Sequence, residues 1–188
     1  MGETTGSGAL VLVVGPSGAG KDTLLGGARA ELAGDMRFLF PRRVVTRAAM
    51  VELEDHDSIA RPAFDSERQR GAYALDWEAH GLCYGVPAEI DAAMAAGRVV
   101  VVNTSRRVIA EALEKYPRCH VLLVTARPEI RAARLAGRGR ETAAEIAARL
   151  QREGAPIPAG IAAVTIDNSG SLAAGVAGFV SALREIAG

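Results

Sequence analysis

Lysine is almost missing from this chain of 188 residues: of its 22 basic residues only Lys21 and Lys115 are lysines. A site that needs a compact ammonium has two candidates, whereas the many arginines reflect either genome composition or sites that need planar, bidentate recognition of oxyanions. Cysteine is scarce too. Cys83 and Cys119 stand far apart with no CxxC or metal-ligand spacing, which argues against a disulfide scaffold or a zinc module and for two reduced thiols. Net charge is absent, 22 basic residues balancing 22 acidic ones, so the chain does not hold nucleic acid or an acidic membrane by bulk charge. No apolar run approaches the ~18 residues of a membrane span, and the polar, glycine-rich stretch from Met1 to Gly8 contains no signal-peptide core. The expectation is a cytoplasmic protein with neither nucleic acid nor membrane as partner.

What the chain does have is apolar: 49% of its residues are hydrophobic, enough for one domain with a substantial core. Residues 9–14 are an unbroken apolar run closed by Gly-Pro-Ser-Gly, the pattern of a strand buried on both faces. Residues 21–33 carry Leu24, Leu25, Ala28 and Leu32 at helical spacing and stop at Gly34. Residues 38–45 read as a second strand interrupted by Pro41, residues 98–102, 120–124 and 163–166 as further strands, and residues 171–186 as a closing helix. Strands separated by helices predict a parallel sheet covered on both faces.

Two segments break this alternation. Within residues 46–90, Glu52, Glu54, Asp55 and Asp57 crowd together, residues 62–70 read as a short helix, and strand-sized pieces at 73–75 and 83–86 are broken by Gly81 and Gly85. This reads as an inserted subdomain. Residues 127–152 hold seven arginines against three glutamates, with a helical pattern on each side of Gly137 and Gly139.

The segment Gly15-Pro16-Ser17-Gly18-Ala19-Gly20-Lys21 matches G-x-x-x-x-G-K and lies between a buried strand and a helix start, as its mechanism demands. Glycines let successive N–H groups turn inward, the helix N-terminus adds positive potential, and the lysine reaches the terminal phosphates. The motif's next position, usually Ser or Thr ligating Mg²⁺, is Asp22, followed by Thr23. A carboxylate beside a triphosphate repels it unless a cation lies between. Asp22 therefore either holds Mg²⁺, directly or through water, or caps the first helical turn while Thr23 supplies the polar contact.

With this cradle, Thr46-Arg47, the run Ala74-Leu75-Asp76-Trp77 followed by Tyr84-Gly85, and Arg134-Leu135-Ala136-Gly137-Arg138-Gly139-Arg140-Glu141, the chain resembles the guanylate kinase superfamily along nearly its whole length. Within it, the chain is most similar to the ribose 1,5-bisphosphate phosphokinases of bacterial phosphonate breakdown. The narrower resemblance rests on the Lys21-Asp22 pair closing the cradle, Asp55-His56, Trp77, His80-Gly81, Tyr84-Gly85-Val86, Val102-Asn103 followed by Ser105-Arg106, and Arg138-Gly139-Arg140-Glu141. Guanylate kinases follow Thr-Arg with a Pro-Arg-x-Gly-Glu segment, where this chain has Ala48-Ala49-Met50-Val51-Glu52. They also carry Ser or Thr where Val86 stands and Asp where Asn103 stands. Asp76 keeps the place of their guanine-reading Glu, so a guanylate kinase remains the alternative, and a catalytically silent interaction module is a third reading.

The resemblance implies a P-loop, nucleoside-monophosphate-kinase-like three-layer α/β sandwich. Its parallel five-stranded core would come from residues 8–45, 91–133 and 153–188, with an acceptor-binding insertion at about 46–90 and a lid at about 134–152. It further implies transfer of the γ-phosphoryl of ATP, with Mg²⁺, onto the 1-phosphate of ribose 1,5-bisphosphate, giving 5-phosphoribosyl 1-diphosphate and ADP. ATP and this sugar phosphate are the partners expected. Gly15, Pro16, Ser17, Gly18, Ala19, Gly20, Lys21, Asp22 and Thr23 would cradle the nucleotide, with Asp22 on the metal and Asn168 on the adenine side or as a helix cap. Lys21, Arg134, Arg138 and Arg149 would be the catalytic cations, with Arg140 beside them. Arg47, His56, Asp76, Tyr84 and Asn103 would bind the acceptor, and Trp77 would pack. Arg42 and Arg43 precede Arg47, but one strand cannot direct all three into a cleft. For any single arginine the alternative is a solvated surface pair of little energetic consequence. An acceptor phosphate is already ionised near neutral pH, so no general base is needed and none is evident.

Overall fold

The computed structural model describes residues 8–46, 56–137, 142–151 and 156–188. Its centre is β1 (Ala9–Val14), every residue of which is buried. Parallel to β1 on one side lies β7 (Val99–Asn103), flanked by β2 (Phe38–Leu39); on the other lie β8 (Cys119–Thr125) and then β9 (Ala163–Asp167). The order β2-β7-β1-β8-β9 reverses direction about β1. In such a sheet the crevice at the carboxyl ends of the central strands is where ligands bind.

Alternation along β1 builds the two faces. Ala9, Val11 and Val13 pack with Leu24 and Ala28 of α1 (Lys21–Glu31) and Phe179 and Leu183 of α7 (Leu172–Ala187). Leu10, Leu12 and Val14 pack the other way, with Ile90 and Met94 of α3 (Ile90–Ala95) and Ile109 of α4 (Ile109–Lys115). Burying each of these side chains larger than alanine contributes about 1.5–3 kcal/mol, so the three layers follow from one apolar strand that needs cover on both sides. The five-stranded parallel core expected from the sequence is present.

The strand expected over residues 38–45 is two strands in two sheets. Pro41 lacks an N–H and cannot continue a ladder; after it the chain leaves the core sheet, and β3 (Arg43–Val45) joins β4 (His56–Ser58), β5 (Tyr73–Ala79) and β6 (Leu82–Pro87) in the order β4-β3-β6-β5. The short pieces expected around residues 73–86 are one hairpin, β5–β6, turning at His80-Gly81, where His80 has φ 54° and Gly81 φ 73°. Gly85 does not break β6. It makes room for the ring of Tyr73, whose Cδ1 lies 2.5 Å from where a Cβ would stand. The helix α2 (Arg61–Gln69) covers this sheet through Phe64, stacked on Tyr73 with ring centroids 4.5 Å apart. The arginine-rich segment forms α5 (Pro128–Ala136) and α6 (Ala143–Gln151). Among the described residues no helix is long and apolar enough to cross a membrane.

Candidate active site

The loop after β1 wraps toward the N-terminus of α1. Gly20, at the N-cap of α1, has φ 88°, a left-handed conformation that costs an L-residue roughly 1–2 kcal/mol. A Cβ there would stand 2.5 Å from Asn168 Nδ2. Lys21 leads the helix and curls back, its Nζ donating to the carbonyls of Gly15 (2.9 Å) and Pro16 (3.3 Å).

The turn after β9 braces the loop from one flank. Asn168 is 2% exposed, its N–H donates to Thr125 O (2.8 Å), and its Nδ2 donates to Ala19 O (2.8 Å). The Ser169 hydroxyl and N–H beside Asp167 hold that carboxyl below the usual carboxylate range, pinning the turn. Helix α5 adds two arginines. Arg134 donates to Ala19 O (3.3 Å) and Asn168 O (2.8 Å), and Arg131, 9% exposed, donates from Nε to Ser17 O (2.9 Å). With these loop carbonyls engaged from outside, the loop is stiffened in one conformation.

On the opposite flank stands an open cleft of about 220 Å³. Its floor is Ser17, Gly18, Gly20, Lys21 and Asp22; its wall is Arg43, Trp77, Ala79, His80 and Tyr84; its end is Asn103, the last residue of β7, with Thr104 and Ser105 after it. Asn103 Nδ2 donates to Asp22 Oδ1 (2.6 Å), and Arg43 Nη2 lies 4.0 Å from the same oxygen. Cross-strand partners Trp77 and Tyr84 stack with ring centroids 5.3 Å apart and planes within 3°, and the Arg43 guanidinium lies 5.9 Å over the Tyr84 ring. The Asp22 carboxylate, 43% exposed beside the lysine, fits Mg²⁺, which is commonly held by one or two carboxylates together with substrate phosphates.

The structure therefore gathers Ser17, Gly18, Gly20, Lys21, Asp22, Tyr84 and Asn103 around one cleft, with Ala19, Asn168 and Arg134 supporting the loop behind it. Thr23 is exposed on the first turn of α1. His56 lies on β4, paired in register with Arg43 of β3. Asp76 pairs with Arg68 of α2, and Trp77 stands in the cleft wall. Arg47, Arg138 and Arg140 fall outside the described residues, as does the side chain of Arg149. Sequence reasoning gave no role to Arg131, His80, Thr104 or Ser105. Thr104 and Ser105 follow directly on a core strand, so the carboxyl-end rule signals them; for Arg131 the chain carries no local signal.

No family model matches the chain. A ribose 1,5-bisphosphate phosphokinase of Brucella melitensis is 49% identical over 183 residues, spanning 97% of this chain and 95% of that protein. One from Acidiphilium cryptum is 57% identical over 153 residues, 81% of each chain. Among solved structures, a guanylate kinase from Anaplasma phagocytophilum superposes with a TM-score of 0.66, covering 95% of this chain and 85% of that one at 18% identity, a likeness of fold alone. With identity of this order over nearly the full length of both chains, the chain belongs to the ribose 1,5-bisphosphate phosphokinase family.

Proposed function

We propose that this protein is a cytoplasmic kinase that transfers the γ-phosphoryl of ATP to the 1-phosphate of ribose 1,5-bisphosphate, giving 5-phosphoribosyl 1-diphosphate and ADP. The observation that carries this is the full-length likeness to the Brucella enzyme, joined to a phosphate loop that opens onto a cleft with Lys21 at its floor. An oxygen of the acceptor phosphate forms the new P–O bond while the β–γ bridge of ATP breaks, and the ADP oxygen keeps the electron pair. Both reactants are polyanions, so the chain's task is alignment and charge neutralisation rather than proton removal.

Backbone N–H groups of the loop and Lys21 hold the terminal phosphates. Arg134, Arg138 and Arg149 supply positive charge from the lid side, and Asn168 shapes the adenine side. Arg47, His56, Tyr84 and Asn103 serve the acceptor. Asp22 would hold Mg²⁺, directly or through water, and the ion when bound would neutralise charge on the nucleotide's phosphates. Asp22→Ala should then raise the Mg²⁺ concentration needed for half-maximal turnover and weaken Mg²⁺-dependent ADP binding by calorimetry; unchanged Mg²⁺ dependence in both would remove the metal role.

The guanylate reading relies on Asp76, and that carboxylate is engaged by Arg68. A base-reading pocket whose polar groups are already paired or replaced discriminates strongly against the base. A coupled ADP-release assay decides between the readings. Turnover is expected with ribose 1,5-bisphosphate and should be at least about 100-fold weaker with GMP; comparable turnover of GMP would overturn the assignment.

A further inference from the structure

The cleft contains a cation that neither the phosphate-loop motif nor the lid supplies. Arg43 and Arg42 are adjacent, and the sequence leaves them equivalent; the strand divides them. Arg42 turns to the rim, donating to His56 O (3.0 Å) and lying 3.2 Å from Asp57 Oδ1. Arg43 turns inward, its side chain 12% exposed, into the cleft that holds Lys21 and Asp22. A guanidinium withdrawn this far from water needs anionic partners. Its carboxylate neighbour is 4.0 Å away, beyond hydrogen-bond range, and that oxygen already accepts from Asn103. The face of Tyr84 supplies a further, weaker attraction at 5.9 Å.

A planar fork of donors, held by an aromatic face beneath it and a carboxylate beside it, is a receptor suited to a phosphate monoester. Its position says which phosphate. Asp22 directly follows Lys21 in the first turn of α1, so Arg43 stands beside the point where the phosphoryl group is transferred, on the wall opposite the elements that brace the loop. We propose that Arg43 binds the attacking 1-phosphate of the acceptor, neutralising it against the γ-phosphate of ATP, and that Asp22 and Tyr84 position the guanidinium for this. The inference rests on the sugar-phosphate kinase reading above. It adds a specificity: the wall opposite the loop selects an acceptor by a phosphate close to the transfer point, not by a base.

The test uses the intact enzyme. Wild type, Arg43→Lys and Arg43→Gln are compared for the KM of each substrate, for kcat, and for calorimetric binding of ribose 1,5-bisphosphate and of ribose 5-phosphate to the ADP-loaded protein, with melting temperature as the control for folding. Arg43→Gln should weaken ribose 1,5-bisphosphate binding about 10- to 100-fold, leave the KM for ATP within about threefold, and leave the affinity for ribose 5-phosphate, which lacks the 1-phosphate, nearly unchanged. Arg43→Lys should recover part of the loss. Equal losses for the two sugars, a matching rise in the KM for ATP, or unchanged binding would each overturn the proposal while leaving the kinase reading in place. Wild-type protein that neither binds nor phosphorylates ribose 1,5-bisphosphate would overturn both.

Discussion

At position 21 a compact ammonium does what no arginine in the chain can. Its three donors rotate freely, and it fits beneath a loop whose carbonyls it now contacts at 2.9 and 3.3 Å. A bound triphosphate must draw it from those carbonyls. Lys21→Ala is expected to lower kcat about 10²–10³-fold, the effect of losing one preorganised charge-stabilising donor, while the melting temperature stays within a few degrees. Lys21→Arg should not restore activity, because a rigid planar fork does not reproduce the freely rotating donors of a compact ammonium. Activity near that of wild type in either variant would refute the role. At this scale the sequence was informative wherever function is local. The loop, its lysine and the departure at Asp22 lie within a few consecutive residues and could be read directly. The division of Arg43 from Arg42 follows a sheet change at Pro41, which the sequence marks only as an interruption of one strand, and the capture of Asp76 by Arg68 depends on a helix covering the neighbouring face, which no residue near Asp76 announces.

Among elements, the phosphate loop is a joint between β1 and α1 whose shape is imposed by its neighbours. Asn168 after β9 and Arg131 and Arg134 on α5 bond to its carbonyls, and Gly20 leaves room for the Asn168 amide. Gly20→Ala forces an unfavourable φ and displaces that amide, so it should destabilise the protein by about 1–2 kcal/mol in chemical denaturation and raise the KM for ATP more than that for the acceptor. Unchanged stability would show the loop to be softer than described. Strand β8 carries a second sensitivity. Burial, reinforced by Arg118, pushes the His120 pKa below its ordinary value. The folded state therefore disfavours the charged ring, and the unfolded chain binds the proton more readily. Stability from this group is complete above about pH 6.5 and is lost as pH falls through the lower folded value. The melting temperature should decline over that window, less steeply in His120→Gln; parallel profiles would remove His120 as a cause.

The whole molecule is a parallel sheet with a second sheet set beside its carboxyl edge. The alternation of strands and helices showed the first in the sequence, because a strand buried on both faces has an unmistakable apolar run. The second sheet was legible only as an interruption. Two of its strands, β3 and β4, are only three residues long, and the pairing joins residues far apart, as when Val45 meets Tyr84. Yet that pairing carries Arg43, Trp77 and Tyr84 to the cleft, so the acceptor side is a product of topology while the nucleotide side is a product of motif. If the two sides together pass a phosphoryl group onto a sugar phosphate, phosphorus NMR of the enzyme with ATP, Mg²⁺ and ribose 1,5-bisphosphate should show the 1-phosphate signal giving way to a diphosphate pair, the 5-phosphate signal persisting and ADP appearing in equal amount; an unchanged 1-phosphate signal under conditions where GMP is converted to GDP would refute the transfer.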